Sequence, residues 1–487
     1  MLLSELANCI KDEVISLTGD AEILDLFMDS RKKVSQGLFF CISGARFDAH
    51  EFADQAIGNG ACALVVERVL DKPVAQLQVR SCRAAMSGIA AAFFGHPADR
   101  LRLFGITGTK GKTTTSYLIK SILEAEGLSC GLIGTTGNMI GRRYLKSEFT
   151  TPEPIDLHRT FREMVDEGVQ AVSMEVSAHA LEMRRLEGLY FEVGGYTNLS
   201  QDHLDLFGTM ERYFECKKSF FTPEWLSKAA VNVDDDSSAK IIEGIRVPCL
   251  TYGICVNADL YARDIEISED GVSFTIVFPD RVSERLHLHL TGMFNVYNAL
   301  SATAMCIQAG ISRSAVIRGL EAVTAVPGRA EVIETDTPYK VILDYSHSPD
   351  ALENILKTVR EFARGRVICV FGCGGDRDKL KRPAMGEISG RLADYSILTS
   401  DNPRTEDPFA ILRSIEDGIK PTGGGYCVIE NRREAIRHAL KIGRPGDIIV
   451  LAGKGHETYQ EIRGVKRPFN EKTVVQELLL EESRAEK

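Results

Sequence analysis

Residues 101–114 join an apolar run, a glycine loop and the start of a helix, and this stretch constrains the fold more than any other. The run at 103–106 predicts a buried strand, and apolar residues spaced by four after the loop predict a helix that Gly127 would end. The backbone N–H groups of such a loop and the positive end of the helix bind phosphate. We therefore predict nucleotide binding, with ATP as the first candidate, by Gly108, Thr109, Lys110, Gly111, Lys112, Thr113 and Thr114.

The glycine loop departs from the usual phosphate-binding pattern at one position, since Ile106 stands six residues before Lys112 where a glycine is usual. The remaining residues keep their chemistry. The Lys112 ammonium can reach the β- and γ-phosphates, and the Thr113 hydroxyl can bind Mg²⁺. An ordinary glycine-rich turn between a strand and a helix is the alternative interpretation.

Length and composition limit the classes of protein open to this chain. Its 487 residues predict several domains, and 44% hydrophobic with 26% charged residues is typical of a soluble globular protein. The net charge of -10 argues against general nucleic-acid binding. The sequence shows no apolar run of membrane-spanning length and no signal-peptide pattern. Scattered cysteines without a C-x-x-C pair favour a reducing compartment, so we expect a cytoplasmic protein.

Three α/β domains are predicted along the chain. Residues 1–98 show strands at 38–42 and 61–66 and a helix at 82–94, which indicate a small N-terminal domain. Residues 99–329 form a central P-loop ATPase-like domain with a mostly parallel sheet. Residues 330–487 alternate strand and helix patterns, which predicts a doubly wound, Rossmann-like domain with its ligand at the carboxyl ends of the strands. Those strands are expected at 341–343, 367–371, 395–399, 426–429 and 448–451.

Three features of the central segment add candidate ligands. Glu175 stands near the carboxyl end of a buried β run, where its carboxylate suits Mg²⁺ beside nucleotide phosphates. Residues 197–205 hold several Asn, Ser, Asp and His side chains, which fit either a ligand site or a capped turn. Lys217 lies one helical turn from Tyr213 and Phe221, and this spacing alone predicts a surface lysine whose stem packs on apolar neighbours.

The glycine loop and five further motifs, which begin at Met174, Thr197, Gly292, Pro327 and Asp344, occur in the order expected of the Mur ligases. The chain resembles that family, a group of ATP-dependent amide-forming enzymes of peptidoglycan synthesis, over nearly its whole length. The resemblance implies ATP and Mg²⁺ as cofactors. It also adds three residues to the predicted ATP site, namely Asn298, Arg329 and Asp344.

Motifs that begin at Asp29, Gly372 and Gly453 resemble those of the family members that add the third amino acid to UDP-MurNAc-L-Ala-D-Glu. The tetrapeptide at 401–404 resembles the signature of the members that add meso-diaminopimelate, although alone it would fit an Asn-Pro turn. A guanidinium fork suits the second carboxylate of this amino acid. The implied diaminopimelate-binding residues are Arg377, Asp401, Asn402, Pro403, Arg404, Gly453 and Glu457.

The same resemblance implies a mechanism in which ATP phosphorylates the D-Glu carboxylate and the amine of diaminopimelate attacks the acyl phosphate. The implied Mg²⁺ ligands are Thr113, Glu175, His203 and Lys217 as its carbamate, and the implied catalytic residues are Lys112, Lys217, His203 and Glu175. The UDP-MurNAc-dipeptide would be held by Met28, Ser30, Ala45, Arg46, Phe47, Thr150, Thr151, Ser177, Met183 and Arg185.

Three other functions remain open at this point. A lysine-adding relative would share everything except the loop at 401–404. A folate polyglutamate ligase would share the ATP-binding part but should lack the N-terminal domain. A P-loop switch protein would hydrolyse nucleotide without making an amide. We expect a monomer that binds small molecules, with neither a nucleic-acid partner nor a membrane span. Five positions depart from the family pattern, namely Ala49 in place of Gly, Phe149 in place of Asn, Met183 in place of Gln, Ser346 in place of Ala and Ser348 in place of Thr.

Overall fold

The computed structural model describes residues 1–44 and 47–485, and it confirms the predicted α/β class. Three sheets of five, eleven and six strands follow one another along the chain, and a two-stranded hairpin comes near its end. The sheets span residues 14–79, 102–288 and 331–452, so each lies within one of the three predicted segments. In the described part of the chain, no helix is both long and apolar enough to cross a membrane.

The first sheet is parallel except at one edge. Its elements are α1 Leu3–Cys9, β1 Val14–Thr18, β2 Asp25–Phe27, β3 Gly37–Phe40, α2 Ala53–Gly58, β4 Ala61–Val66, β5 Ala75–Val79 and α3 Cys82–Phe93. The strand order is β1-β5-β4-β3-β2, with β1 antiparallel to β5. The apolar faces of β3, β4 and α3 form its core. The strand predicted at 61–66 and the helix predicted at 82–94 are confirmed, the helix ending one residue earlier.

The second sheet carries the glycine loop. Its elements are β6 Arg102–Thr107, α4 Lys112–Ala125, β7 Cys130–Gly134, β8 Gly137–Ile140, β9 Arg143–Leu145, α5 Pro154–Asp166, β10 Ala171–Glu175, α6 Ala178–Glu182, β11 Val193–Tyr196, α7 Leu204–Phe207, α8 Met210–Lys218, β12 Ala229–Asn232, α9 Ser238–Gly244, β13 Cys249–Gly253, β14 Leu260–Ser268, β15 Gly271–Val277, β16 Ser283–Leu288, α10 Met293–Gln308 and α11 Arg313–Glu321. The strand order is β16-β15-β14-β13-β12-β11-β6-β10-β7-β8-β9.

Strand β6 lies in the parallel centre of this sheet, between β11 and β10. The outer pairs β14–β15, β15–β16, β7–β8 and β8–β9 are antiparallel. Helix α4 packs on α10 and α11, and Gly319 of α11 lies so close to Ile122 of α4 that a side chain at 319 would meet the backbone. The predicted strand, loop and helix around 101–127 are therefore confirmed, and they lie in the middle of the molecule's largest core.

The third sheet is doubly wound, as predicted. Its elements and the following hairpin and helix are β17 Glu331–Ile333, β18 Lys340–Asp344, α12 Pro349–Phe362, β19 Val367–Phe371, α13 Lys381–Leu392, β20 Tyr395–Leu398, α14 Pro408–Ile419, β21 Tyr426–Val428, α15 Arg432–Ile442, β22 Ile448–Ala452, β23 Tyr459–Ile462, β24 Val465–Pro468 and α16 Glu471–Ala485. The strand order is β17-β18-β22-β19-β20-β21, parallel except for β17. All five predicted strands end within one residue of their expected limits.

The carboxyl ends of the second and third sheets face each other across a cleft. The Arg329 guanidinium donates to Thr113 Oγ1 at 3.0 Å, and the Lys110 ammonium donates to Ser348 Oγ at 2.9 Å. Gly328 lies against the backbone of His456, where a side chain would not fit. The loops that follow β6 and β18 are thus in direct contact, and the polar residues of both sheets meet in one region.

Candidate active site

The glycine loop between β6 and α4 has the backbone conformation that only glycine adopts readily. Gly108 has φ +139° and Gly111 has φ +88°. A Cβ atom at Gly108 would collide with Thr197 Oγ1, and one at Gly111 would collide with the side-chain oxygen of Asn298. The loop therefore needs glycine at both positions, for backbone geometry and for space.

Residues 197 and 198, at the end of the neighbouring β11, hold this loop in place. The Lys110 backbone N–H donates to Asn198 Oδ1 at 2.9 Å, and the Thr197 hydroxyl donates to the Lys110 carbonyl at 2.7 Å. The Asn198 side-chain amide donates to the same carbonyl at 3.1 Å. The sequence alone did not decide whether residues 197–205 form a ligand site or a turn. In the structure, the side chains of Thr197 and Asn198 hold the phosphate loop in place.

Two lysine ammonium groups converge on the backbone of the loop. Lys112 Nζ donates to the carbonyls of Gly108 at 2.9 Å and Thr109 at 3.0 Å, and Lys217 Nζ donates to the carbonyl of Gly108 at 2.8 Å. Burial lowers the pKa of Lys112 to about 8. Burial and the nearby Lys112 charge hold the pKa of Lys217 well below its ordinary value. The site therefore combines an amine whose pKa is about 8 with a second amine whose pKa is also held below its ordinary value.

The prediction of a surface lysine at position 217, which used spacing alone, is wrong. Lys217 is 1% exposed, and its Nζ lies 4.5 Å from the centre of the Tyr213 ring. The face of α8 that carries these residues packs against the glycine loop instead of facing solvent, and Phe221 lies beyond the end of the helix. The neighbouring Lys218, on another face, keeps a side chain that is 33% exposed.

The carboxylate of Glu175 lies at the end of β10 and is 1% exposed. It accepts hydrogen bonds from the Thr135 N–H at 2.8 Å and the Thr135 hydroxyl at 3.1 Å. Among the described residues, no lysine, arginine or histidine nitrogen lies within 4.0 Å of it. A buried carboxylate held by neutral donors retains free lone pairs, so it can serve as an oxygen ligand for a cation.

A His–His–Asp group borders the loop on the side of α7. The rings of His203 and His179 meet edge to face with their centres 4.6 Å apart, and His203 has φ +55°. Asp202 pairs with Lys110 Nζ at 3.3 Å. Burial acts to raise the pKa of Asp202, but Lys110 and the nearby histidines hold it below its ordinary value. No set of three or more His, Cys, Asp or Glu side chains in the described chain could hold a metal alone, so a metal here needs further oxygen ligands.

The three further residues of the predicted ATP site lie beside the loop. Asn298, in the first turns of α10, donates to Asn295 Oδ1 at 2.9 Å. The Arg329 guanidinium lies over the Tyr345 ring at 4.8 Å, besides its bond to Thr113. Asp344, at the end of β18, accepts from the Ala330 N–H at 2.7 Å. Burial raises the pKa of Asp344 above its ordinary value.

Four of the predicted dipeptide-binding residues form a hydrogen-bonded group next to Glu175. The Thr151 hydroxyl bonds to the Glu175 carbonyl at 2.8 Å and to Ser177 Oγ at 3.1 Å, and Arg185 donates to the Thr151 carbonyl at 2.9 Å. Thr150 Oγ1 lies 3.0 Å from Thr135 Oγ1. Met183 lies close by at the end of α6, and the Arg185 guanidinium covers the Phe149 ring at 4.5 Å.

The remaining dipeptide candidates lie in the first segment. Met28 and Phe47 are exposed, and Ser30 Oγ donates to Gln55 Oε1 at 2.7 Å. The structure therefore does not bring these three into contact with the group around Thr151. Ala45 and Arg46 lie outside the described residues.

The predicted amino-acid site is a network of side chains at the ends of β20 and β22. Asn402 Nδ2 donates to Glu457 Oε2 at 2.8 Å, and Gly453, with φ +115°, lies beside the Asp401 carboxylate. Lys454 Nζ donates to both Asn402 Oδ1 and Glu457 Oε2 at 3.0 Å. Burial acts to raise the pKa of Asp401, but Lys454 and Arg432 hold it below its ordinary value.

Arg404 lies at the edge of this network in the left-handed region, with φ +51°. Its guanidinium donates to the Gly375 carbonyl at 2.7 Å and lies 3.5 Å from the Glu461 carboxylate of β23. The Pro403 carbonyl lies against Gly375 of the preceding loop. Arg377, in that loop, is exposed. The loops after β19 and β20 thus lie side by side, with the hairpin behind them.

Sequence reasoning missed three residues of these sites. Thr135 orients Glu175, Glu461 pairs with Arg404, and Lys454 joins Asp401 to Glu457. Lys454 lies between Gly453 and Glu457, in a motif that was already identified. A lysine next to two predicted ligand-binding residues could have indicated a role in the same site. Thr135 and Glu461 gave no signal, because their roles depend on strand pairings that the sequence does not reveal.

The fold and the site together define a class, that of P-loop enzymes in which a phosphate-binding loop faces a second polar site on another sheet. Residues 106–306 match the family model described as the Mur ligase middle domain, and residues 328–455 match that of the Mur ligase, glutamate ligase domain. The chain belongs to the Mur ligase family and is an enzyme, a ligase.

Several known proteins resemble this chain along their full length. The UDP-N-acetylmuramoyl-L-alanyl-D-glutamate–2,6-diaminopimelate ligase of Halalkalibacterium halodurans is 45% identical, over 95% of this chain and 96% of its own. A ligase of the same name from Clostridium acetobutylicum is 42% identical over 99% of this chain and 100% of its own. A solved structure with that name is 34% identical, covers 95% of both chains and has a TM-score of 0.66.

Proposed function

We propose that this enzyme uses ATP to join meso-diaminopimelate to the D-Glu carboxylate of UDP-MurNAc-L-Ala-D-Glu, a step in peptidoglycan precursor synthesis. The observation that carries the proposal is the direct contact between the phosphate loop and the third sheet, through Lys110 to Ser348 and Arg329 to Thr113. Nucleotide and amino acid would therefore meet in one cleft. The names of relatives that match the chain over its full length support the same reaction.

In the first half of the reaction, a carboxylate oxygen of D-Glu attacks the γ-phosphorus of ATP, forming an acyl phosphate and releasing ADP. Lys112 would move from the Gly108 and Thr109 carbonyls to the phosphate oxygens, where its charge stabilises the transferred group. Asn298, Arg329 and Asp344 would hold the nucleotide. The buried, polar surroundings strengthen each of these charge interactions because water is excluded.

Mg²⁺ fits this site, since Glu175 offers a buried carboxylate without a cationic partner in the described chain. Thr113, Glu175 and His203 would hold the ion together with phosphate oxygens. When bound, Mg²⁺ would neutralise phosphate charge during the transfer. Thr135 fixes the Glu175 carboxylate through two hydrogen bonds and so limits the directions from which that carboxylate can bind a cation.

Lys217 would act as its carbamate. Carbamate formation requires an uncharged amine, and the lowered pKa of Lys217, caused by burial, favours that form. The neutral amine adds to CO₂ through a new N–C bond and loses one proton, so an uncharged group becomes an anion with two oxygen atoms. Such a group beside the Gly108 carbonyl is the kind of ligand that a second Mg²⁺ needs.

In the second half, the free amine of diaminopimelate attacks the acyl carbon and the tetrahedral intermediate expels phosphate as the amide forms. Arg404 and Arg377 would bind the distal carboxylate, and Asp401, Asn402 and Glu457 the ammonium group at the same end. The loop backbone at Pro403 and Gly453 would complete the pocket. Selection of diaminopimelate over lysine then depends on the guanidinium groups, because lysine lacks the second carboxylate.

The UDP-MurNAc-dipeptide would extend from the first segment to the cleft. Met28, Ser30, Ala45, Arg46 and Phe47 would bind its UDP end, and Thr150, Thr151, Ser177, Met183 and Arg185 its muramoyl dipeptide. We propose the domain limits 1–98, 99–329 and 330–487 for the UDP-sugar, ATP and amino-acid domains. We further propose a cytoplasmic monomer.

A product assay tests the proposal. The enzyme is incubated with Mg²⁺-ATP, UDP-MurNAc-L-Ala-D-Glu and meso-diaminopimelate, and the products are weighed by mass spectrometry, with each substrate omitted in turn. We expect the tripeptide and ADP only when all three substrates are present. Nucleotide hydrolysis that ignores dipeptide and amino acid would indicate the switch protein instead. Equal use of lysine would leave the ligase reaction intact and overturn the choice of amino acid.

A further inference from the structure

Lys454, in the loop after β22, is a fully buried cation that the reaction above does not use. Its side chain has 0% exposure. Its ammonium donates to Asp401 Oδ1 at 3.3 Å, to Asn402 Oδ1 at 3.0 Å and to Glu457 Oε2 at 3.0 Å. An ammonium group has three N–H donors, so these three acceptors match its full capacity. Lys454 has neither exposure nor a spare donor with which to reach a substrate.

The three acceptors come from two separate loops. Asp401 and Asn402 follow β20, whereas Glu457 follows β22, and their chain positions are more than fifty residues apart. A direct bond from Asn402 Nδ2 to Glu457 Oε2 at 2.8 Å closes the group, and the Glu461 N–H donates to Asn402 Oδ1 at 2.9 Å. The ammonium is therefore the common centre that fixes the two loops relative to each other.

Charge explains why a cation is needed at this centre. The side chains of Asp401 and Glu457 are only 8% and 15% exposed, and an ammonium group between two carboxylates offsets the repulsion between them. Lys454 lies within 3.3 Å of both. Both groups then keep acceptor lone pairs for a ligand that carries an ammonium group.

We propose that Lys454 is a positioning residue for the incoming amino acid, because it holds Asp401, Asn402 and Glu457 in one arrangement and offsets the repulsion between the two carboxylates. The proposal rests on the amino-acid site described above and deepens it. The substrate class that it serves is an amino acid with a second ammonium group at the end bound by these loops. Lys454 acts through the three residues that it holds and does not touch the substrate.

The test compares Lys454→Met, which keeps the length and removes the charge, with Lys454→Arg, which keeps the charge. We expect Lys454→Met to raise the KM for diaminopimelate about tenfold or more, since charged hydrogen bonds are lost, while the KM values for ATP and the UDP-dipeptide stay within twofold. Lys454→Arg should recover part of that loss. Lys454→Gln, which can still donate hydrogen bonds, serves as the second uncharged variant in case the Met variant does not fold.

Lys466→Met is the matched control. Lys466 on β24 lies 4.6 Å from the Tyr459 ring that Lys454 also approaches, at 5.8 Å, but its side chain is exposed. It should leave all three KM values unchanged. A folded Lys454→Met or Lys454→Gln enzyme with normal KM for diaminopimelate overturns the inference, as does a parallel change in all three KM values. If the unmodified enzyme makes no amide, the proposed function fails instead.

Discussion

Three basic side chains of the phosphate site donate to neutral oxygens, whereas two of the amino-acid site are paired with carboxylates. Lys110, which pairs with Asp202, does not follow this pattern. Lys112 and Lys217 donate to backbone carbonyls, and Arg329 donates to a threonine hydroxyl. Lys454 instead lies against Asp401 and Glu457, and Arg404 against Glu461. The two sites are similar in polarity and differ in how their charge is balanced.

This difference matches the charge of the proposed ligands. A cation on a carbonyl can exchange that oxygen for a phosphate oxygen and gain a full ionic interaction, so the first site suits a polyanion. A paired cation has little attraction left for an added anion, but it fixes the geometry of its partners. The second site therefore suits a zwitterion, whose positive and negative groups need acceptors and donors in set positions.

Replacing Lys112 by Ala should break the phosphate site most severely. The lost charge is aimed at the transferred phosphoryl group, so we expect kcat for amide formation to fall about 10³-fold. Steady-state ADP release coupled to tripeptide formation measures it. Lys120→Ala provides the control, because Lys120 lies on the same helix but pairs with Glu124. Amide formation at a normal rate would show that the loop does not activate the carboxylate.

Lys217→Met should lower kcat about 10²-fold, since it removes the group that would carry the carbamate. Intact-protein mass spectrometry in bicarbonate buffer should show the unmodified enzyme heavier by one CO₂ and the variant not. Lys218→Met is the neighbouring control, as Lys218 faces away from the loop. If the Lys217→Met enzyme is fully active, Lys217 has no catalytic role, and Lys112 and Arg329 remain the proposed phosphate-binding cations.

Arg404→Ala tests the role of the guanidinium group at the amino-acid site. We expect the KM for diaminopimelate to rise about tenfold or more, because a charged fork to the distal carboxylate is lost. The KM for ATP should not change, and the preference for diaminopimelate over lysine should fall. Arg413→Ala on the exposed face of α14 controls for loss of a surface charge. Unchanged preference would assign selection to another residue.

The smallest expected effect is the uptake of protons when ATP binds. Since the pKa of Lys112 is about 8, about half of its side chains are uncharged at pH 8. A bound polyphosphate favours the charged amine and raises this pKa, so ATP binding at pH 8 should take up as much as about half a proton. Calorimetry in buffers of different ionisation enthalpy measures the uptake, which should vanish at pH 6 and in Lys112→Met. Proton release would contradict the assignment.

Much of the fold could be predicted from the sequence, because strands that are buried on both faces form continuous apolar runs. Strand β19 was predicted at its observed limits, and β18, β20, β21 and β22 within one residue, whereas the antiparallel edge strand β17 was not predicted. The membership of strands β14 to β16 in the central sheet was not predicted. Hairpin β23–β24 was not predicted either, because its residues are mostly exposed or half-buried and leave no apolar pattern.

Some residues of the two sites could likewise be predicted from the sequence, and others could not. The phosphate loop was predictable because its chemistry lies in adjacent residues and in their backbone. The burial of Lys217 was not, since it depends on the loop that α8 packs against. The function of Lys454 depends on Asp401, fifty-three positions earlier in the chain, and spacing along the sequence carries no information about such a pair.

The carbonyl oxygen of Gly108 accepts hydrogen bonds from both Lys112 and Lys217. One peptide group thus anchors two amines with different proposed tasks, and its orientation depends on a φ of +139°. Any side chain at position 108 would rotate this peptide or strike Thr197, and both amines would lose the hydrogen bond to this carbonyl together. We therefore expect every substitution at position 108 to abolish amide formation, with no variant of intermediate activity.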